Sequence, residues 1–502
     1  MRESISPDAT ERKANTLRAP RAMSTQHPDN VALPFFATGS PISAEDEVRE
    51  AYYAFSHLGC DEQMWDFEGK EVDEHVVEKL LTQYEGFFAE HPIGERVFLT
   101  PRIPNPALEQ TQAKLVLEVL HSLPRHADIA RAFYDRERPP ILELIYPMAT
   151  SARDLDRVRE YYERFVAGME DAVLPGDDRP MRAWFGRFSP PTVSMIPLSE
   201  DREHLLAADA LVREYVQDKT LDAMRVFIAR SDPALNYGYL AAVLLALVSL
   251  DRLDALEREL GVPILPIIGV GSVPFRGGLA PRTIDRVLAT YPSVQTFTIQ
   301  SAFKYDHAAE DVRAAIMELH ARERGAPIRV AADPKTIPLL DRLVARYEAE
   351  VRELAPIVNS VARSVPRRRL RKQHIGLFGY SRATAGVALP RAIPFCASLY
   401  SVGVPPELIG LAAVSDADWA WLRATVPTVE EELRDAMRFF DAAALPWLPP
   451  LVRESAERAL SLAGTAPDEE HREIAREVRR YRDGAQVGEL IVRAAAVRRF
   501  LG

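Results

Sequence analysis

The sequence predicts an α/β fold, a TIM-type (β/α)8 barrel with additional, mainly C-terminal, α-helices. Three observations predict it. Short β-branched or apolar runs recur, each followed by a loop and a longer stretch of helical periodicity, the pattern of a parallel sheet with crossover helices. Polar and Gly-rich clusters fall just after those runs, where a closed barrel gathers its loops at one rim. Past about residue 403 the strand-like runs stop, and charged, Ala-rich helical stretches continue at 453–463 and 468–483.

Taken in order, residues 1–22 are polar and mixed in charge, without a secretory apolar segment, and are expected to form a flexible extension. Residues 23–502 read as a single catalytic domain, with the barrel at about 95–403 and a helical elaboration at about 404–502. The strand candidates are Val97–Thr100, Ile141–Pro147, Val193–Leu198, Met224–Ala229, Ile264–Val270, Val294–Ile299 and Ile375–Phe378, one short of a closed set of eight. Leu240–Leu250 is the longest apolar run; it falls short of the roughly 18 residues of a spanning helix and reads as a buried helix.

The formal net charge of −11 excludes a broad basic face for nucleic acid and strong attraction to anionic membranes. An anionic substrate must therefore be met by a local cluster of Arg and Lys. Cys60 and Cys396 stand far apart, so neither a disulfide framework nor a zinc site is expected, and a reducing cytoplasm fits. The run PRRRLRK from Pro366 to Lys372 reads as a solvated basic face.

His27, in STQHPDN, is a candidate proton carrier because imidazole titrates near neutrality; the alternative is a surface histidine. Glu200 and Asp232 each follow a strand candidate, so both carboxylates emerge at the same end of neighbouring strands. Two carboxylates with substrate oxygens and water suit magnesium; the alternative is favourable charge at helix starts. Arg276 precedes Gly277 and Gly278 after a strand, a combination of planar donor fork and close backbone suited to phosphate. Arg382 in GYSR and Arg391 in LPRAIP add cations near strand ends, each of which also suits an ordinary salt bridge.

Together, STQHPDN, CDEQMWDFEGKEVDE, FLTPRIPNP, RSDPALNYG, SVPFRGG and RAIPFCASLYSVG resemble, in order, the archaeal-type phosphoenolpyruvate carboxylases. The resemblance runs from residue 24 to at least 410 and implies formation of oxaloacetate and phosphate from phosphoenolpyruvate and bicarbonate, an anaplerotic carbon fixation. It implies magnesium, with manganese as a substitute, and a cytoplasmic homotetramer without nucleic-acid or membrane partners. His27 is similar to the catalytic histidine in the AHPTE motif of the longer bacterial and plant enzymes. Glu200 and Asp232 resemble their metal ligands, and Arg276, Arg382 and Arg391 resemble catalytic arginines of the substrate pocket. Gly277, Gly278 and Arg102 are expected to help bind substrate. The longer enzymes carry a lysine where this chain has Leu235 or Asn236, so either that cation is dispensable here or another residue, with Lys304 in QSAFKYD the candidate, supplies it as a substrate contact. A magnesium-dependent aldolase or lyase and a catalytically silent homologue are the competing readings.

Overall fold

The computed structural model describes residues 19–68, 72–369, 382–384 (backbone only), 386–464, 466–481 and 486–502. Eight parallel strands close into one barrel in sequence order: β1 (Ala22–Ser24), β2 (Glu62–Asp66), β3 (Phe98–Arg102), β4 (Glu143–Tyr146), β5 (Ser194–Ser199), β6 (Met224–Ala229), β7 (Ile264–Gly269) and β8 (Thr296–Ile299). Closure comes from β1, whose Met23 pairs with Glu62 on one side and Thr298 on the other. Six of the expected strands stand within a few residues of their positions.

Two expectations about boundaries are corrected, and a third falls outside the described residues. The barrel spans residues 22–299 rather than about 95–403, because β1 and β2 are its first two staves. Residues 19–22 are not part of a loose extension: Gln295 donates to the Ala19 carbonyl, the Arg21 amide donates to Asp61, and Ala22 opens β1. The expected strand at 375–378 lies outside the described residues, and the barrel closes without it.

Side chains alternate across each strand, so every second residue enters the barrel and the inward sets form layers. On the floor, Arg225 reaches Glu62 at 2.6 Å and Glu143 at 2.8 Å, and the Thr100 hydroxyl donates to Glu62. One layer up, Met23, Met64, Ile145, Ile196, Phe227 and Ile267 form an apolar plug. Further along the same faces of β2, β3 and β5 come Asp66, Arg102 and Glu200, at the C-terminal rim. Fully buried apolar side chains in the plug exclude water between the two charged layers, at about 1.5–3 kcal/mol each.

The larger apolar core packs the outer strand faces against the helical ring. Leu240–Leu250 lies, as expected, in the buried helix Tyr239–Leu260. Beyond the barrel come the long helix Thr336–Ala362, a small antiparallel pair β9 (Arg382–Thr384) and β10 (Val387–Leu389), and the helix Ala392–Ser401. The expected C-terminal helices follow, among them Pro450–Ala463, Glu469–Tyr481 and Val487–Arg498. No single helix among the described residues is long and apolar enough to cross a membrane. Cys60 and Cys396 are both buried free thiols, and burial pushes Cys60 up to about 12.

Candidate active site

The rim collects the expected residues from separate strands. His27 follows β1, Arg102 ends β3, Glu200 follows β5, Asp232 sits in the first turn of the helix Ser231–Tyr237 after β6, and Arg276 follows β7. Glu200 continues the inward register of Ile196 and Leu198, which is why a carboxylate appears there.

The loop after β7 is held shut by its own backbone. Gly271 donates to the Arg276 carbonyl at 2.8 Å, Gly278 donates to Val273 at 2.9 Å, and Leu279 donates to Gly271 at 2.9 Å. Its outer side is pinned by the buried Arg230, which donates to the Phe275 carbonyl, and by Glu407, which accepts the Phe275 amide at 2.6 Å. Gly277 has φ +117°, and an added Cβ would lie 2.5 Å from a Val270 methyl, so only glycine fits there.

That frame fixes the Arg276 guanidinium, 1% exposed. It donates to Ser231 Oγ at 3.1 Å, Gly502 O at 2.8 Å and Gln300 Oε1 at 2.5 Å, and meets Asp29 Oδ2 at 3.3 Å. Asp29 in turn accepts the Ala302 amide at 2.7 Å, tying the His27 loop to the segment after β8. Burial pushes the Asp29 carboxyl up, against the pull of Arg276.

Arg102 is gripped bidentately by Asp66 at 2.8 and 2.9 Å, with Glu68 at 3.0 Å. Burial draws its pKa down, but Asp66 and Glu68 outweigh burial and raise it, with Glu200 adding to the same pull. Glu200 accepts the Met148 amide at 2.9 Å. Met148 adopts φ +46°, uncommon for a side chain of its size, which marks a backbone held for position. The His27 ring places Nδ1 2.9 Å from Thr25 Oγ1, and its carbonyl accepts the Ser301 amide.

Arg391 immediately precedes the helix Ala392–Ser401, which packs against the helix of Asp232 and stacks Phe395 on Phe275 of the glycine loop at 5.7 Å. The side chain of Arg382 lies outside the described residues. Lys304 does not reach the rim surface. Its ammonium is fully buried and donates to Ser24 Oγ, Thr25 O and Glu50 Oε1 at 2.8–2.9 Å, so the expected substrate contact is corrected to an internal one. Within the basic run Arg367 is exposed as expected, but Arg369 is 4% exposed and paired with Glu47 and Glu50, because the fold brings buried carboxylates to it; residues 370–372 lie outside the described residues.

Glu200 and Asp232, on the ends of adjacent strands, offer hard oxygen donors of the kind magnesium takes. Among the described residues no group of three or more His, Cys, Asp or Glu is arranged around a metal position.

The sequence profile of phosphoenolpyruvate carboxylases matches residues 19–502. The phosphoenolpyruvate carboxylase of Methanospirillum hungatei is 47% identical over 489 residues, covering 97% of this chain and 100% of that protein. The enzyme of that name from Methanothermobacter thermautotrophicus is 46% identical, with 97% and 100% covered, and that from Halobacterium salinarum is 47% identical, with 96% and 99% covered. The chain belongs to the phosphoenolpyruvate carboxylase family and is a carboxy-lyase of that family.

Proposed function

We propose that the rim joins bicarbonate to phosphoenolpyruvate through carboxyphosphate and the enolate of pyruvate, with His27, Glu200, Asp232, Arg276, Arg382 and Arg391 as its working residues. The observation that carries this reading is Arg276: a buried guanidinium, fixed by four contacts beside a glycine loop, on the same rim as two carboxylates and a histidine.

Bicarbonate attacks phosphorus, the bond from phosphorus to the enol oxygen breaks, and the electron pair stays on that oxygen. Arg276 and Arg391 neutralise phosphoryl and carboxylate charge from fixed positions, so little reorganisation is needed as charge moves. Gly277 and Gly278 give the loop the tight turn that brings Arg276 to the phosphoryl group, and Arg102, locked by Asp66, keeps its place beside Glu200 at the substrate. Glu200 and Asp232 would hold magnesium, or manganese in its place, and such an ion would supply charge stabilisation as the enolate forms. His27 takes the proton of carboxyphosphate as its C–O bond to the phosphoryl group breaks, releasing phosphate and carbon dioxide. The enolate carbon then attacks carbon dioxide to give oxaloacetate, and closure against water prevents its protonation to pyruvate. The family resemblance also supports a cytoplasmic homotetramer, which light scattering of the purified protein tests.

The test is an assay of oxaloacetate and phosphate from phosphoenolpyruvate, bicarbonate and magnesium, with each omitted in turn. Equal amounts of the two products, both lost on any omission, are expected. Phosphate release independent of bicarbonate contradicts the proposal.

A further inference from the structure

Four buried charges lie beside the His27 loop, and none has a role in the steps above. Lys304 and Arg369 are the cations, Glu47 and Glu50 the anions, with side chains 0–3% exposed. Arg369 meets Glu50 at 2.7 Å and Glu47 at 3.0 Å; Lys304 meets Glu50 at 2.8 Å. The two carboxylates offset the two cations. Burial pushes the Glu50 carboxyl up, but Arg369 and Lys304 outweigh burial and hold it below the ordinary range. An apolar filling of equal volume would serve stability as well as such a cluster does, since four charges must be desolvated to build it.

What the cluster holds is the chain just before His27. Lys304 donates to Ser24 Oγ and to the Thr25 carbonyl, both at 2.9 Å. Glu47 accepts the Gln26 amide at 2.6 Å, and Gln26 accepts the Asp66 backbone N–H at 3.1 Å. Thr25 also donates its own N–H to Ile299 at 3.0 Å. Three consecutive residues are thus fixed on separate sides, and the Thr25 hydroxyl is delivered to His27 Nδ1 at 2.9 Å.

We infer that Thr25, seated by the cluster of Lys304, Glu50, Arg369 and Glu47, is a positioning residue that orients the imidazole of His27 and accepts the hydrogen on its Nδ1 when Nε2 acts as base. The inference rests on the reading that His27 takes the carboxyphosphate proton. Neutral imidazole carries one N–H; with that hydrogen on Nδ1 and directed at Thr25 Oγ1, Nε2 is the basic nitrogen. When Nε2 takes the proton, the hydroxyl oxygen still accepts from Nδ1–H and now stabilises an imidazolium. A hydroxyl serves both states without moving a heavy atom. Lys304 acts one step further out, which gives this chain's lysine a role without substrate contact.

The test uses Thr25→Val, which keeps shape without the hydroxyl, and Thr25→Ser, which keeps the hydroxyl. Each is made alone and with His27→Asn, and phosphate, oxaloacetate, pyruvate and the KM for phosphoenolpyruvate are measured. Thr25→Val should leave KM within about twofold, lower oxaloacetate formation roughly ten- to hundredfold and raise the pyruvate share, because the proton acceptor is misdirected. Thr25→Ser should restore most of the rate. In the His27→Asn background Thr25→Val should add nothing, because both changes remove the same contribution. A Thr25→Val loss that multiplies with that of His27→Asn, or a normal rate and product ratio in Thr25→Val while His27→Asn is impaired, overturns the inference alone. Normal oxaloacetate from His27→Asn overturns the proton-acceptor reading and the inference with it. Should Thr25→Val not fold, Thr25→Ala carries the same expectations with a smaller side chain.

Discussion

Arg225 on the floor of the barrel and Arg276 on its rim are both buried, at 5% and 1% exposed, yet the protein treats them differently. Arg225 is closed by Glu62 and Glu143 at 2.6 and 2.8 Å; burial draws its pKa down, but the two carboxylates outweigh burial and raise it. Arg276 is held mainly through a hydroxyl, an amide oxygen and a main-chain oxygen, with its carboxylate neighbour Asp29 further off at 3.3 Å. A cation already matched by carboxylates has little field left for a ligand. One with a single, more distant side-chain carboxylate and steadied in part by a hydroxyl and an amide oxygen keeps more of its field while losing its freedom, which is what recognition of an anion asks of it. The apolar plug between the layers keeps the two functions apart.

The largest expected effect lies on the rim. Asp232→Asn should cut turnover at least about a hundredfold with the fold unchanged, because a neutral ligand weakens both metal binding and enolate stabilisation. Unchanged turnover with unchanged magnesium dependence would remove Asp232 from the site and blunt the contrast.

Gly277→Ala tests the frame instead of the charges. The new methyl meets Val270 at 2.5 Å at a backbone angle of φ +117°, so the loop must shift and carry Arg276 with it. Phosphoenolpyruvate kcat/KM should fall tens-fold, read alongside the unfolding midpoint. Wild-type kinetics would mean that the loop position is immaterial to phosphate binding.

The effect furthest from the chemistry, on stability alone, concerns Glu407, which braces the same loop through the Phe275 amide and accepts the Tyr400 hydroxyl. Burial pushes Glu407 up to about 7, above the ordinary value of 4.5. Between those values the folded protein keeps a proton that the unfolded chain releases, so this group's contribution to stability falls as pH rises from 4.5 through about 7. Glu407→Gln cannot titrate and should flatten the loss of stability between pH 5 and 8 by on the order of 2–3 kcal/mol, measured by urea unfolding. An identical slope in both proteins would contradict it.

Six strands were readable because their outer faces carry continuous apolar runs that need no partner to be recognised. β1 and β2 were not: Ala22–Ser24 is three residues long, and Glu62–Asp66 turns Glu62 and Asp66 inward, where only Arg225 and Arg102 make sense of them. The same cause hid the partners of the site. Asp29 and Gln300 meet Arg276 from 247 and 24 residues away, and Glu50 meets Lys304 from 254 away, distances at which sequence spacing carries no geometry. His27, Glu200, Asp232 and Arg276 can be named as candidates from sequence because each directly follows a strand or stands in a distinctive string. Lys304 was misjudged because a lysine after a strand looks the same whether its ammonium faces substrate or a buried glutamate.

The division between floor and rim is tested most directly by Arg225→Met and Arg276→Lys, compared in kcat/KM for phosphoenolpyruvate and in free energy of unfolding. Arg225→Met leaves Glu62 and Glu143 buried without their cation and should cost about 3–5 kcal/mol, while the folded protein turns over at close to the normal rate. Arg276→Lys keeps a cation beside Asp29 but gives up most of the other contacts of the planar fork, so it should cost about 1–3 kcal/mol of stability and about a hundredfold in kcat/KM, since a point charge on a flexible stem does not hold the position of the guanidinium. If Arg276→Lys keeps its kinetics, or if Arg225→Met loses turnover as steeply as stability, the two arginines do not divide the work in this way.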